Sequence, residues 1–294
     1  MVGPHDPPAC GSLPGGVLLH AEHRKVSDSL AEYGRGIAGG LLFSLPLLYT
    51  AEVWDAGFFI PPHRQLAYLL GTFVLLLGYN RYSGMHPHAR WIEVVIDSVE
   101  EMGIGLVLGA LLLLALGRLT PELGLDEVMG RVVVGALTVA IGVSVGTAQL
   151  GGDPQQRGTD EREVGFGGQV VLGVCGAVLV AGNMAPTEEI VLIGLELPPL
   201  QLAALALFSL LLGLLILFFS DFRGARRWVG PATGIGRLRG AIVTYAVALL
   251  ASAVSLWLFG RFDHVPLAGV VGQTVTLGVA ATLGASAGRL LLQQ

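Results

Sequence analysis

The sequence predicts an all-α, polytopic membrane protein of eight transmembrane helices, arranged as two parallel four-helix repeats. Three observations carry this. The chain has 294 residues, 53% hydrophobic and only 13% charged, with a mean hydropathy of +0.69. Soluble domains carry about 25% charge. Eight apolar segments are each long enough to cross about 30 Å of hydrocarbon at about 1.5 Å per residue. Finally, one pattern occurs twice, 137 residues apart and without a gap, as Thr50-Ala51-Glu52-Val53 through Gly57 to Pro61-Pro62 and Thr187-Glu188-Glu189-Ile190 through Gly194 to Pro198-Pro199.

Residues 1–33 read as a polar tail rich in Pro, Gly and His. The eight segments follow at roughly 34–54, 65–83, 91–117, 128–150, 165–186, 200–220, 238–260 and 266–291. Segments one to four form the first repeat, 34–150, and the last four form the second, 165–291. Between them 151–164 is a polar linker containing Gly151-Gly152-Asp153-Pro154.

Further matches support the duplication. Tyr79-Asn80-Arg81 falls on Phe219-Ser220-Asp221 at an offset of 140, and Leu116-Gly117-Arg118-Leu119 on Phe259-Gly260-Arg261-Phe262 at 143. Gly142 to Gly146 falls on Gly278 to Gly284 with best register at 138. An even number of spans per repeat leaves both copies in the same orientation, related by an axis along the membrane normal. The Gly-rich faces suit close helix packing.

With the N-terminus inside, Arg64, Arg118, Arg131 and Arg261 lie outside and the other 13 of the 17 Lys and Arg lie inside. Basic residues favour the cytoplasmic side, which places both termini in the cytoplasm of a cell inner membrane. The Arg-rich stretch around Arg223–Arg239 then meets anionic lipid. No cleavable signal peptide is evident at the start. Cys10 and Cys175 have no partner at metal-ligand spacing, so neither a disulfide framework nor a zinc site is expected.

Two groups of acidic residues stand out. The first is the repeated motif. Placed at the ends of spans, Glu52, Glu188 and Glu189 would oppose the helix dipole. Pro46 and Pro186 should free carbonyls in the preceding turn. Freed carbonyls, the hydroxyls of Thr50 and Thr187 and a carboxylate would form a cation-coordinating corner, although water-exposed helix ends are the plainer explanation. The second group is Glu93, Asp97, Glu100 and Glu101 in the third segment, which share an arc of roughly 100°. Charges facing lipid cost at least ~2.5–3.5 kcal/mol each, so that arc faces the bundle interior, a water-filled cavity or the cytosol. Gathered carboxylates suit a hard cation or a proton relay. A solvated helix start accounts for Glu93 equally well. The register-matched residues of the seventh segment are Gly236, Gly240, Val243 and Thr244, so these acids belong to one half only. Arg35 at the mouth of the first span fits a snorkelling interface residue. His86 and His88 make an isolated H-x-H.

Arg35-Gly36, Gly39-Gly40 and Phe43-Ser44-Leu45-Pro46-Leu47-Leu48-Tyr49-Thr50, with Glu52 and Trp54, resemble a family of bacterial integral membrane proteins catalogued as domain of unknown function 2391. The resemblance covers residues ~30–290 and implies an eight-helix membrane protein with no assigned activity. Gly182-Asn183-Met184-Ala185-Pro186-Thr187-Glu188-Glu189 is similar to the Gly-Asn-x-x-Glu signature of calcium/cation antiporters, with a longer Asn-to-Glu spacing.

The expected function is an integral membrane cation transporter or channel, proton-coupled if the carboxylates exchange protons. Its expected site residues are Glu52, Glu189, Glu188, Thr50, Thr187, Asp97, Glu100 and Glu101. The alternative is a non-transporting sensor, scaffold or assembly protein. An enzyme is not expected: the chain holds no phosphate loop, nucleophile elbow, HExxH or CxxC, and its spans contain no His. The expected partners are a cation or proton and membrane lipid, with a homo-oligomer open and no nucleic acid. No cofactor is expected.

Overall fold

A computed structural model describes residues 26–83, 90–150, 166–219 and 234–291. Most of the tail, the linker, His86, His88, Cys10 and the arginines at 223–227 lie outside the described residues. Among the described residues there are ten helices and no strands. In chain order they are α1 (Val26–Leu48), α2 (Ala51–Phe59), α3 (Pro62–Ser83), α4 (Trp91–Ala115), α5 (Leu125–Leu150), α6 (Phe166–Met184), α7 (Glu188–Glu196), α8 (Pro199–Phe219), α9 (Gly234–Leu258) and α10 (Leu267–Leu291).

Among the described residues, six helices are long and apolar enough to cross a membrane: α4, α5, α6, α8, α9 and α10. The pair α1 and α2 adds a seventh if its 83° bend is one broken span. Eight spans were expected, and α3 makes the difference. At 22 residues it is about 33 Å long, but His63, Arg64 and Gln65 at one end and Asn80 and Arg81 at the other dilute its apolar run.

The bends fall where proline chemistry puts them. Pro46 lies in the last turn of α1 and cannot donate a backbone N–H to it. Thr50 is extended at φ −94°, ψ 135°, and α2 starts after it. In the second half, Pro186 disfavours helical geometry at Ala185, and α6 stops at Met184.

Two helices organise the packing. The first four helices all pack on α5, while α6, α7, α8 and α9 all pack on α10. The halves meet mainly through α3 and α6, with further contacts from α1, α5 and α9. The α5 span is 78% buried and the α8 span 11%, so α5 is a core helix and α8 faces lipid.

Glycine permits the closest approaches. A Cβ on Gly39 would lie 2.3 Å from Gly146 Cα, and one on Gly130 would lie 1.9 Å from Gly57 O. Corresponding contacts join Gly176 to Gly284 and Gly288, and Gly194 to Gly272. Small residues serve this purpose in membrane helices, where packing rather than water expulsion drives association. These pairs align the first helix of each half at an offset of 137 and α5 with α10 at 142. The register of 138 expected for the last helices differs from this by four residues. Four residues are about one helical turn, so the two registers present nearly the same face.

Candidate functional site

The helix break is the first place to look. Thr50 does not cap α2. Its Oγ1 donates back to Leu47 O at 2.7 Å, and its N–H reaches the same carbonyl at 3.0 Å. Trp54 Nε1 donates to Leu48 O at 2.8 Å. In the second copy Thr187 Oγ1 and N–H both donate to Met184 O, at 2.8 and 3.0 Å. Arg261 donates to the Pro186 carbonyl. The carbonyls of Leu47, Leu48, Met184 and Pro186 at the two breaks are thus already engaged by the chain itself.

The acids of the motif also sit differently from expectation. Glu52, Glu188 and Glu189 stand in the first turns of α2 and α7, not at the ends of the preceding spans. There the helix dipole favours a negative charge. Glu52 is half-buried, whereas Glu188 and Glu189 are exposed. Burial pulls the Arg261 guanidinium below its ordinary range, and the charges of Glu188 and Glu52 push the other way. It is therefore Glu188, rather than Glu189, that shares with Glu52 the field of one arginine. Beside them Arg64 makes a two-pronged ion pair with Asp263, both contacts at 2.7 Å, and stacks over Trp257 at 5.5 Å. This bridge joins α3 to the turn between α9 and α10.

The four acids of α4 occupy separate environments. Glu93 is exposed and closes the helix start, accepting the Arg90 N–H at 2.8 Å. Asp97 is half-buried. Glu100 is exposed and accepts a hydrogen bond from the Tyr33 hydroxyl on α1. Glu101 alone is buried, 8% exposed, and points between α3 and α5. Asn80 Nδ2 donates to its Oε2 at 2.7 Å and to Ser98 Oγ at 3.0 Å. Ser144 on α5 donates to Asn80 Oδ1 at 3.1 Å and also lies within hydrogen-bonding reach of Glu101. Among the described residues no three His, Cys, Asp or Glu side chains converge as a metal cage. The arrangement offers instead one carboxylate inside an apolar span, ringed by an amide and two hydroxyls.

Asn80, Ser98 and Ser144 are absent from the residues expected for a site. Asn80 and Ser144 stood out only as parts of the repeat matches. The signal available was helical spacing, since Ser98 and Glu101 are three apart on α4 and share a face.

A search for similar curated proteins finds no match, and neither does a search of solved structures. A family model described as "Putative integral membrane protein (DUF2391)" matches residues 32–292, and the chain therefore belongs to that family.

Proposed function

We propose that this membrane protein is a cation transporter or channel whose essential ion-binding group is Glu101. One observation carries the reading: a carboxylate only 8% exposed lies well within an apolar 25-residue helix and is hydrogen-bonded by Asn80. A charge in that position costs several kcal/mol, and such residues mark ion or proton pathways by default. The exposed Glu100 and half-buried Asp97 give a path from the helix surface toward Glu101. Glu52, Glu188 and Glu189, with Thr50 and Thr187, would line the approach at the helix breaks. Proton coupling enters if Glu101 takes up a proton when the cation leaves.

The same proposal reads the chain as eight spans, with α3 as a short, polar-ended crossing, in two parallel four-helix repeats. The matched glycine contacts at offsets 137 and 142 support it. Both termini would face the cytoplasm of a bacterial inner membrane, with anionic lipid at the Arg-rich loop and room for a homo-oligomer. Cation flux into proteoliposomes tests the function. Glu101→Gln should abolish flux; unchanged flux in that variant removes the reading. The second reading, a non-transporting sensor or scaffold, draws on the carbonyls of both helix breaks being already satisfied. It expects no flux and no ion dependence of thermal stability.

A further inference from the structure

The second half contains a buried charge of its own. Arg289, in the last turn of α10, is 3% exposed. Its Nη1 donates to Thr244 Oγ1 on α9 at 2.6 Å, and its Nη2 reaches Gln169 Oε1 on α6 at 3.4 Å. A cation near a helix C-terminus complements the dipole. That alone does not call for a guanidinium folded inward onto a threonine.

Position gives it meaning. Gly117 and Gly260 end α4 and α9 in the same left-handed conformation, φ 68° and 71°. Arg118 and Arg261 then close the same backbone hydrogen bond, to Leu113 O and Leu256 O. Counting back 16 residues from each glycine reaches Glu101 and Thr244. Likewise a Cβ on Gly36 of α1 would meet the Thr147 side chain at 2.7 Å, and a Cβ on Gly173 of α6 would meet that of Arg289 at 3.7 Å. Gly36 and Gly173 are 137 apart, and Thr147 and Arg289 are 142 apart, the offsets set by the other glycine contacts. So Thr244 occupies the Glu101 position and Arg289 the Thr147 position. Among the described residues one half presents a buried carboxylate with no arginine hydrogen-bonded to it. The other presents a neutral hydroxyl bonded by an arginine.

We infer that the Glu101 site takes a single monovalent metal cation and that Arg289 is the tethered counterpart of that cation in the second half. The inference rests on reading Glu101 as an ion-binding group and names the class of ion. The donor set would be one carboxylate, supplying one formal negative charge, with the neutral oxygens of Ser98 and Ser144; Asn80 faces Glu101 with its Nδ2 and would turn its amide to offer Oδ1. A divalent site would need more carboxylate ligands than the single buried one here. In the second half the built-in guanidinium leaves no demand for a mobile ion.

Thermal unfolding of the purified full chain in detergent, at constant ionic strength, tests this. Sodium or potassium chloride should raise the midpoint by several degrees over N-methyl-D-glucamine chloride. Thr147→Arg should place a guanidinium beside Glu101 and abolish that rise. Glu101→Gln, nearly isosteric, should abolish it as well and serves if Thr147→Arg fails to fold. Arg289→Met should leave it in place. The inference is overturned if calcium alone stabilises, if no cation does, or if the rise survives in Thr147→Arg or Glu101→Gln. Stabilisation by sodium with no flux in proteoliposomes would leave this site standing and remove transport. Flux without cation-dependent stabilisation would do the reverse.

Discussion

Replacing Gly130 by alanine should separate α2 from α5. The new Cβ would lie 1.9 Å from Gly57 O, 2.8 Å from Gly57 C and 2.9 Å from Gln65 Nε2. Ordinary contact begins near 3.4 Å, so the backbones must part by about 1.5 Å. No rotamer can relieve a clash between a Cβ and a carbonyl oxygen. Val53 and Gly57, the buried residues of α2, would lose their seat on α5. Overpacking of this kind costs about 1–3 kcal/mol, and the backbone-to-backbone contact puts Gly130→Ala at the upper end. Gly272→Ala should cost about the same, because its Cβ would also fall 1.9 Å from a glycine carbonyl, that of Gly194. Gly71 and Gly103 are internal controls, with nothing within 4 Å of the added atom. Alanine there should be neutral or stabilising by up to about 1 kcal/mol, through the helix propensity it restores. Reversible unfolding in mixed micelles, titrated with a denaturing detergent, measures all four variants. Stability of Gly130→Ala within about 0.5 kcal/mol of the parent would refute the close packing of α2 on α5.

The bridge between Arg64 and Asp263 should respond to acid. The Arg64 guanidinium holds the Asp263 carboxyl below the usual carboxylate range. Its contribution is therefore full above the unfolded value near ~4 and is lost as pH falls through the lower folded value. Asp263 is half exposed, so the pair should be worth no more than about 1 kcal/mol. The melting difference between the parent and Asp263→Asn should hold from pH 6 to 8 and fade in strong acid. Asn80→Leu removes the donor to Glu101 and should cost about 1–3 kcal/mol in unfolding titrations, because a buried carboxylate loses its partner. Trp54→Phe forfeits the bond to Leu48 O and should cost about 1 kcal/mol in the same titration. Cys175 is 1% exposed, and a membrane-permeant maleimide should label it only after unfolding.

The long spans were legible because their apolar runs reach membrane length without interruption. The break at Thr50 was not, since Ala51–Phe59 is as apolar as the helix before it and hydropathy does not see an 83° turn. The clue was present in another form. A Thr at the N-cap position with Glu in the first turn after it is a helix-start signature, and reading it as a helix end inverted the dipole argument. The site was half legible. The arc of acids on α4 included Glu101, the one that packing buries, but periodicity alone could not sort it from Glu93, Asp97 and Glu100. What separates them is which neighbour covers them. Asn80, near the polar end of α3, marked only the repeat in the sequence, and its contact with Glu101 depends on α3 packing on α4. The sequence register of 138 and the contact register of 142 between α5 and α10 differ by about one turn, and only the second pairs Thr147 with Arg289, because a helix face repeats nearly every four residues.

The distribution of matched and unmatched residues now separates architecture from chemistry. Where the halves make the same backbone contact they use the same residue: Gly57 on Gly130 as Gly194 on Gly272, and Thr50 on Leu47 as Thr187 on Met184. Packing and hydrogen bonding demand those residues in either half, so their repetition says nothing about ions. Packing makes no such demand at Glu101 and Arg289. A threonine satisfies the α9 position with a bond to Gly240 O at 2.9 Å, and another satisfies the α5 position with a bond to Val143 O at 2.9 Å. A carboxylate and a guanidinium at these places each add a desolvation cost that a hydroxyl avoids. In the second half Arg289 is held by Thr244 and Gln169. In the first half an ionised Glu101 would carry a charge that none of its described hydrogen-bond partners balances, and the proposed cation is the component that would balance it.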